Sequence, residues 1–594
     1  MPTRTVLKRI APPLALAAAV LAFYARALDR PFTSEDFLLI RFLSENPPWR
    51  DLWSQLTSPW LGISVVKFYR PVSTLLYGAE IALFGGQPLG YNMVHVAIHA
   101  TNAVLVWAIV RKLLQPGGAR TALAAALLFA VYPLHPNAVI FSASFATIFG
   151  VAFFLAAVLT YQGFRESGSP GAWVASMAFF LLALGSYEET AVLPGLLVAY
   201  DHLVAGARRR HASLPLGYLP FFGVLGLYLL FRRSLFGVFI GGYDAYSQKL
   251  LAPQLLQMAR EAATSVHQLY FPVYDRPPAP WAVAVSCLLL IGVPIVLWLS
   301  RRLDAGHARL WLFAWAWTLA AQAPFAFQPS VPGNGRYWYL AAAGAAMSLC
   351  FLARAVFALV PLPWRRLAPA AVGLLGVFWS VLLAGYVGDY VEAGRTARTI
   401  QGELLRVPAK GPIFFTRYPY FLLNGAQVPI AQIYHYGVWD SVHPPFVRER
   451  VPVYPLPPLA GVELLPVTRG AVYEWTGRLQ PYAFAGPRPV EFQVLQPGDG
   501  AAVDPARDMA EVAVPPGVHA RFRLILSTRI NGAVFDLDPS AVQGGVLRAD
   551  LPDEILQTSD RLYGKGVHYW WIEARDASGQ VSGFSRMHGF RLSD

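Results

Sequence analysis

The chain is organised as apolar blocks of roughly 18–25 residues separated by short breaks that carry arginine, and that block length is what a helix needs to cross a hydrocarbon core of about 30 Å. With 14% charged residues, against about 25% in a soluble domain, and a mean hydropathy of +0.42, the chain is read as a polytopic α-helical membrane protein. A spanning barrel is excluded, because its strands would alternate in polarity.

Eleven spans are expected, near residues 11–28, 89–110, 121–135, 146–163, 171–187, 190–206, 214–231, 280–300, 308–326, 337–356 and 367–387. The first follows Arg4, Lys8 and Arg9; it is long for a signal peptide and has no small-residue cleavage site before Arg30. The short basic breaks are Arg111, Lys112 and Arg120, then Arg165, the arginines at 208–210, Arg301, Arg302 and Arg309, and the pair at 365–366. The positive-inside bias assigns them to the cytoplasm together with the N-terminus, and an odd number of spans then exports the C-terminus. The expectation is a multi-pass protein of the inner (plasma) membrane with a periplasmic tail.

Charge divides with the topology. Residues 1–387 hold 28 Lys and Arg against 14 Asp and Glu, and residues 388–594 hold 20 against 21. The whole excess of +13 therefore belongs to the membrane half, where it serves span orientation and lipid head groups, not nucleic acid. Eleven of the fourteen membrane-half carboxylates, all but Glu166, Asp201 and Asp304, fall at or beyond the outer face, so chemistry is expected there. Three regions are expected: a membrane domain over 1–387 with outer loops 29–88 and 232–279, an extracytoplasmic linker or mixed region over 388–488, and a β-sandwich over 489–594. Runs with a period of two, 521–525 and 568–574, mark strands of the last. The stretch from His568 to Ser582 resembles the closing strands of a fibronectin type III domain.

Several outer-face motifs carry chemistry-bearing side chains. Thr33-Ser34-Glu35-Asp36 places two carboxylates just after the first span. Tyr69-Arg70-Pro71 follows, and then a helical stripe of His95, His99 and Asn102. Two histidines at i, i+4 without a third ligand do not make a metal site, so packed histidines at the outer mouth are the preferred reading and no metal is assigned, although the residue types admit a divalent ion. Further along stand His135 in Tyr-Pro-Leu-His-Pro, Glu188-Glu189 at a tight turn, and Arg336 beside Tyr337.

The order of these pieces resembles the GT-C membrane glycosyltransferases, above all the protein O-mannosyltransferase branch whose animal members carry tetratricopeptide repeats; those repeats are absent here. The likeness covers about residues 1–350. It implies a sugar-transfer site on the outer face, a polyprenyl-phosphate-linked donor, and an acidic base in the first outer loop, corresponding to Glu35 or Asp36. Glu188-Glu189 correspond to the Lys-Glu of that family, with the lysine missing, and Ser144-Phe145-Ala146-Thr147 stand where relatives have Arg-x-Asp.

The chemistry is consistent with these residue types. A lipid-phosphate leaving group needs no proton but gathers negative charge, so one base and one or two fixed cations suffice. Asp36 is preferred over Glu35 as base for its shorter, stiffer side chain. Arg336, with Arg70 or the Arg232-Arg233 pair, suits the phosphate because guanidinium binds it in bidentate fashion. His95, His99, His135, Glu188, Glu189 and Tyr337 are expected to line the site. The acceptor, protein or glycan, is left open, and an outer-face glycan ligase or polymerase and a non-catalytic scaffold are the alternatives. A transporter is disfavoured, because the spans lack ionisable residues near the midplane.

The topology predicts that, in a chain lacking Cys287 and Cys350, cysteines introduced in the tail react with an impermeant thiol reagent on outer-membrane-permeabilised cells. Cysteines beside the 208–210 arginines should stay unlabelled until lysis; the reverse pattern would invert the assignment.

Overall fold

The computed structural model describes all residues except 1, 64–65, 115–116, 206–213, 240–254, 275–277, 302–303, 326–331, 360–366, 409–410, 457–470, 483–489, 517, 519 and 594. The arginines at 208–210, Arg302, the pair at 365–366 and part of the 232–279 loop thus lie outside the described residues. The protein is a polytopic helical membrane protein with a β-rich C-terminal region. Each expected span coincides with a helix: Pro2–Tyr24, Pro88–Leu113, Ala119–Ala130, Phe145–Ser167, Pro170–Leu184, Leu193–Leu203, Leu214–Phe236, the segments covering 280–299, Ala305–Gln322, Tyr339–Ala358 and Leu367–Leu404. Seven stretches of the described residues are long and apolar enough to cross a membrane.

Three expected spans are short. Ala119–Ala130, Pro170–Leu184 and Leu193–Leu203 have 12, 15 and 11 residues, about 18, 23 and 17 Å of rise, so none crosses a bilayer alone. The turns that adjoin them, through His135 and Glu189, are buried in the protein. Proline begins many of the helices, at Pro71, Pro88, Pro170 and Pro280, where its missing N–H costs nothing. The three carboxylates expected on the inner side are all engaged: Glu166 with Lys112, Asp201 with Arg165 and Tyr161, and Asp304 with His307 and the first N–H groups of its helix.

The first outer loop is itself helical, with Glu35–Glu45, Leu52–Thr57 and Pro71–Phe84. The last helix, Leu367–Leu404, has 38 residues, about 57 Å, and runs through position 387 because helical propensity continues where the apolar composition stops. Leu374, Val377 and Val381 are exposed on its apolar part.

Beyond it, Ile413–Thr416 pairs in parallel with Val453–Pro455 and with Ala471–Trp475. This expected linker region packs on the bundle: Ile413, Phe415, Ile433, Tyr434, Val438 and Val442 belong to the same buried core as the membrane helices. The final region has a core of its own around Leu524, Leu526, Trp570 and Ile572. The two runs read as strands, now Arg521–Ser527 and His568–Arg575, are antiparallel neighbours with Ile525 opposite Trp571.

A buried ion pair locks this region onto the first outer loop. Arg41 Nε donates to Asp440 Oδ1 at 2.5 Å, Arg41 Nη2 donates to the Leu562 carbonyl at 3.0 Å, and Tyr563 Oη donates to Asp440 Oδ2 at 2.8 Å. Removing one partner of such a pair strands the other charge in the protein. Asp440→Ala is expected to destabilise the detergent-solubilised protein by about 3–5 kcal/mol, read as a lower Tm. Arg507→Ala, at the exposed Arg507–Asp504 pair, is expected to cost less than about 1 kcal/mol.

Candidate active site

The two adjacent carboxylates of the first loop have different environments. Asp36 is 0% exposed. Its Oδ1 accepts from Ala143 N at 2.8 Å, and its Oδ2 accepts from Thr33 N at 3.0 Å and faces Arg30 Nη1 at 3.4 Å. Arg30 in turn donates to the Ile140 and Tyr390 carbonyls and to Thr33 Oγ1. Burial pushes the Asp36 carboxyl up from its ordinary value while Arg30 and the two N–H donors pull against it. Both oxygens of the Asp36 carboxylate are thus engaged inside the protein, which weighs against the expected preference for Asp36 as base. Its short side chain is what lets it reach the backbone.

Glu35 is half-buried and makes no hydrogen bond with any described residue. Its carboxylate lies in the field of two guanidinium groups, Arg336 and Arg70. Burial pushes it above the ordinary carboxylate range, and the two arginines act against that shift.

The cations are held in different ways. Arg336 N donates to Asn137 Oδ1 at 3.0 Å, Arg336 Nη2 donates to Tyr337 Oη at 3.2 Å, and its charge lies 4.9 Å from the Tyr337 ring. Gly335 makes this approach possible, since a Cβ there would run into the Leu134 carbonyl. Arg70 grips Glu188 in bidentate fashion at 2.9–3.2 Å and lies over the Phe68 ring at 4.0 Å; Glu188 also accepts from Tyr69 N. Arg232 is buried and donates to the Lys67 carbonyl at 2.8 Å, whereas Arg233 is exposed and lies over Phe239. The phenol of Tyr228 lies in the fields of Glu188, Arg232 and Arg70, so these groups form one cluster.

The expected lining histidines are instead fully buried. His95 Nε2 meets Glu80 Oε2 at 3.0 Å, and His99 bridges Tyr339 Oη and the Ala130 carbonyl. His135 packs on Tyr339 with ring centroids 4.4 Å apart. They brace the bundle behind the site: the stripe was legible, but it faces inward because each ring finds its partner on a neighbouring helix. Glu189 is likewise 1% exposed, with neither oxygen hydrogen-bonded, and burial holds its carboxyl well above the ordinary range. Among the described residues no group of three or more His, Cys, Asp or Glu is arranged to hold a metal ion.

The C-terminal region adds residues that the sequence did not single out. Tyr436 lies in the field of Glu35, and His435 in that of Arg336, where burial pushes its imidazole down to about 4 and leaves it neutral. The backbone before Glu35 is anchored there too. Ser34 takes φ +47°, an outlier for a non-glycine residue that costs of order 1–3 kcal/mol. The tract His435-Tyr436-Gly437-Val438-Trp439-Asp440 is dense in polar and aromatic groups, which was the available signal.

Residues 70–232 match the model of the dolichyl-phosphate-mannose-protein mannosyltransferase family. The resemblance read from the motif order is thereby shown. The chain is 30% identical over 223 residues to protein O-mannosyl-transferase TMTC4 of Homo sapiens, covering 32% of this chain and 29% of that protein. It is 30% identical over 142 residues to TMTC3 of Mus musculus, covering 23% and 15%. The chain therefore spans less than a third of the length of these relatives. The matched segment runs from Arg70 to Arg232 and includes the Arg70–Glu188 pair, while Glu35 and Arg336 lie outside it. Among solved structures, the archaeal oligosaccharyltransferase AglB of Archaeoglobus fulgidus, in complex with an inhibitory peptide and a dolichol-phosphate, gives a TM-score of 0.43 at 12% identity, covering 74% of this chain and 63% of that one. ArnT of Cupriavidus metallidurans, bound to undecaprenyl phosphate, gives 0.38 at 15%, covering 68% and 82%.

The contrast between the two carboxylates predicts opposite behaviour on neutralisation. Asp36→Asn leaves Arg30 buried without its counter-charge and turns an acceptor into a donor facing N–H, so it is expected to cost about 3–5 kcal/mol. Glu35→Gln is expected to stay within about 0.5 kcal/mol of the parent. Thermal unfolding of the two purified variants checks both.

Proposed function

We propose that the protein transfers a sugar from a polyprenyl-phosphate-linked donor to an acceptor hydroxyl at the outer face of the membrane, with Glu35 as the base. The observation that carries this reading is a half-buried carboxylate without a hydrogen-bond partner among the described residues, lying in the field of two arginines. The matched family, whose description names dolichyl-phosphate-mannose, supports this class of donor.

In the proposed step Glu35 takes the proton of the acceptor hydroxyl while the hydroxyl oxygen bonds to the anomeric carbon. The bond from that carbon to the phosphate oxygen breaks, and the electron pair leaves with the polyprenyl phosphate. Charge grows on the phosphate as the bond breaks, so cations placed beforehand lower the barrier. Arg336 has one of its nitrogens on Tyr337 and presents its charge toward Glu35. Arg70 spends its fork on Glu188, so it contributes field more than direct contact, and Arg232 extends the same cluster. The raised carboxyl of Glu35 suits a base, since proton-transfer driving force grows as its pKa approaches the working pH. The site opens to the periplasm of an inner-membrane protein in this reading, and the apolar helices hold the polyprenyl chain.

With polyprenyl-phosphate mannose as donor, Glu35→Gln is expected to lower transfer by about 10²–10⁴-fold. Arg336→Ala is expected to lower kcat/KM, as loss of a phosphate contact does. The sign of the pH dependence follows from the raised carboxyl: activity falls as pH drops through a value above the ordinary carboxylate range, and Glu35→Gln removes that limb. Unchanged transfer in both variants would leave the non-catalytic scaffold reading in its place.

A further inference from the structure

Contacts from the C-terminal region converge on the residue that precedes Glu35. Ser34 N donates to the Ile433 carbonyl at 2.9 Å, and Tyr436 N donates to Ser34 Oγ at 3.0 Å. Gly437, itself at φ +79°, lies so close to the Ser34 carbonyl that a Cβ would run into it, and Phe37 is packed against the same spot. Further along the same helix, the buried Arg41–Asp440 pair fixes the helix that Glu35 begins. From the other side, Asn531 Nδ2 donates to the His435 carbonyl at 3.2 Å and Tyr420 Oη donates to Asn531 Oδ1 at 2.8 Å, so the segment is itself clamped by the β-rich region.

A serine at positive φ persists only where its surroundings over-determine it, and here all the groups named as gripping Ser34 come from residues 433–437, about 400 positions away in sequence. The peptide so held is the one that orients Glu35. We infer that residues 433–440 position the Glu35 carboxylate, so that the C-terminal region is a working part of the site and not an appended domain. What Glu35 does rests on the proposed glycosyl transfer; how it is held rests on the contacts alone. These are positioning residues, and they act through Ser34.

The inference accounts for a pattern that separate domains would not need. Ile433 contributes its carbonyl, Tyr436 its amide and Gly437 its lack of a side chain to the start of the helix, and Asp440 contributes its carboxylate to Arg41 further along it. A methyl at Gly437 must push the Ser34 carbonyl aside and turn the Ser34–Glu35 peptide with it. Misplacement of a reacting group by about 1 Å lowers rate by about 10²-fold without removing any substrate contact.

The test uses the full chain in detergent with polyprenyl-phosphate mannose as probe, and two variants, Gly437→Ala and the milder Ser34→Ala, which deletes only the Oγ acceptor. The expected result is a kcat lowered by about 10²-fold for Gly437→Ala and by a smaller factor for Ser34→Ala, with donor KM within about twofold of the parent in both. A second readout needs no activity. In a chain lacking Cys287 and Cys350 and carrying Glu35→Cys, the rate of alkylation at position 35 and its pH profile should change on adding either substitution. A change in alkylation with no turnover by the parent chain would uphold the positioning and remove the glycosyl-transfer reading. Normal kcat in both variants with unchanged alkylation would overturn the positioning and leave that reading intact. Should Gly437→Ala fail to fold, Ser34→Ala alone decides between these outcomes.

Discussion

The fixed point of the outer face is the buried carboxylate of Asp36, which accepts from Ala143 N and Thr33 N and faces Arg30. Through Arg30 it reaches the Ile140 carbonyl, in the buried turn after Ala119–Ala130, and the Tyr390 carbonyl on the last helix. One acidic side chain thereby joins three parts of the chain at the mouth of the bundle. The arrangement is costly to desolvate and worthwhile only when every oxygen and nitrogen finds a partner. That condition is met for Asp36 and not one residue earlier, where the Glu35 carboxylate has no hydrogen-bond partner among the described residues.

The C-terminal region closes the other side of the same loop. The Arg41–Asp440 pair and the contacts on Ser34 bring residues 433–440 against the helix that carries both carboxylates, and the core shared with Ile413, Phe415, Ile433 and Tyr434 makes that seating continuous with the bundle. The Arg70–Glu188 fork lies within the matched family segment, and Glu35 lies in the field of its Arg70 as well as of Arg336.

How much of this was legible follows from physical distance along the chain. Spans are local, since twenty apolar residues announce themselves, and all eleven appeared as helices; strands at 521–527 and 568–575 were legible for the same reason, through their alternation. The choice between Glu35 and Asp36 was not local, because it depends on an amide 107 residues away. The shorter side chain is the one that the backbone captures. The histidine stripe was legible on its helix as packed side chains, but not its partners, since His99 answers to Tyr339 and His95 to Glu80. His435 and Tyr436 stood in no motif and enter the site only through folding of the tail onto the first loop.

The central claim is that Arg336 and Glu35 face the phosphate-linked end of a polyprenyl donor, and native mass spectrometry of the full chain extracted with its lipid addresses it most directly. The account predicts one polyprenyl phosphate bound per chain, retained in Glu35→Gln and lost in Arg336→Ala. A chain that carries no polyprenyl phosphate, or one whose occupancy is the same with and without Arg336, would contradict it.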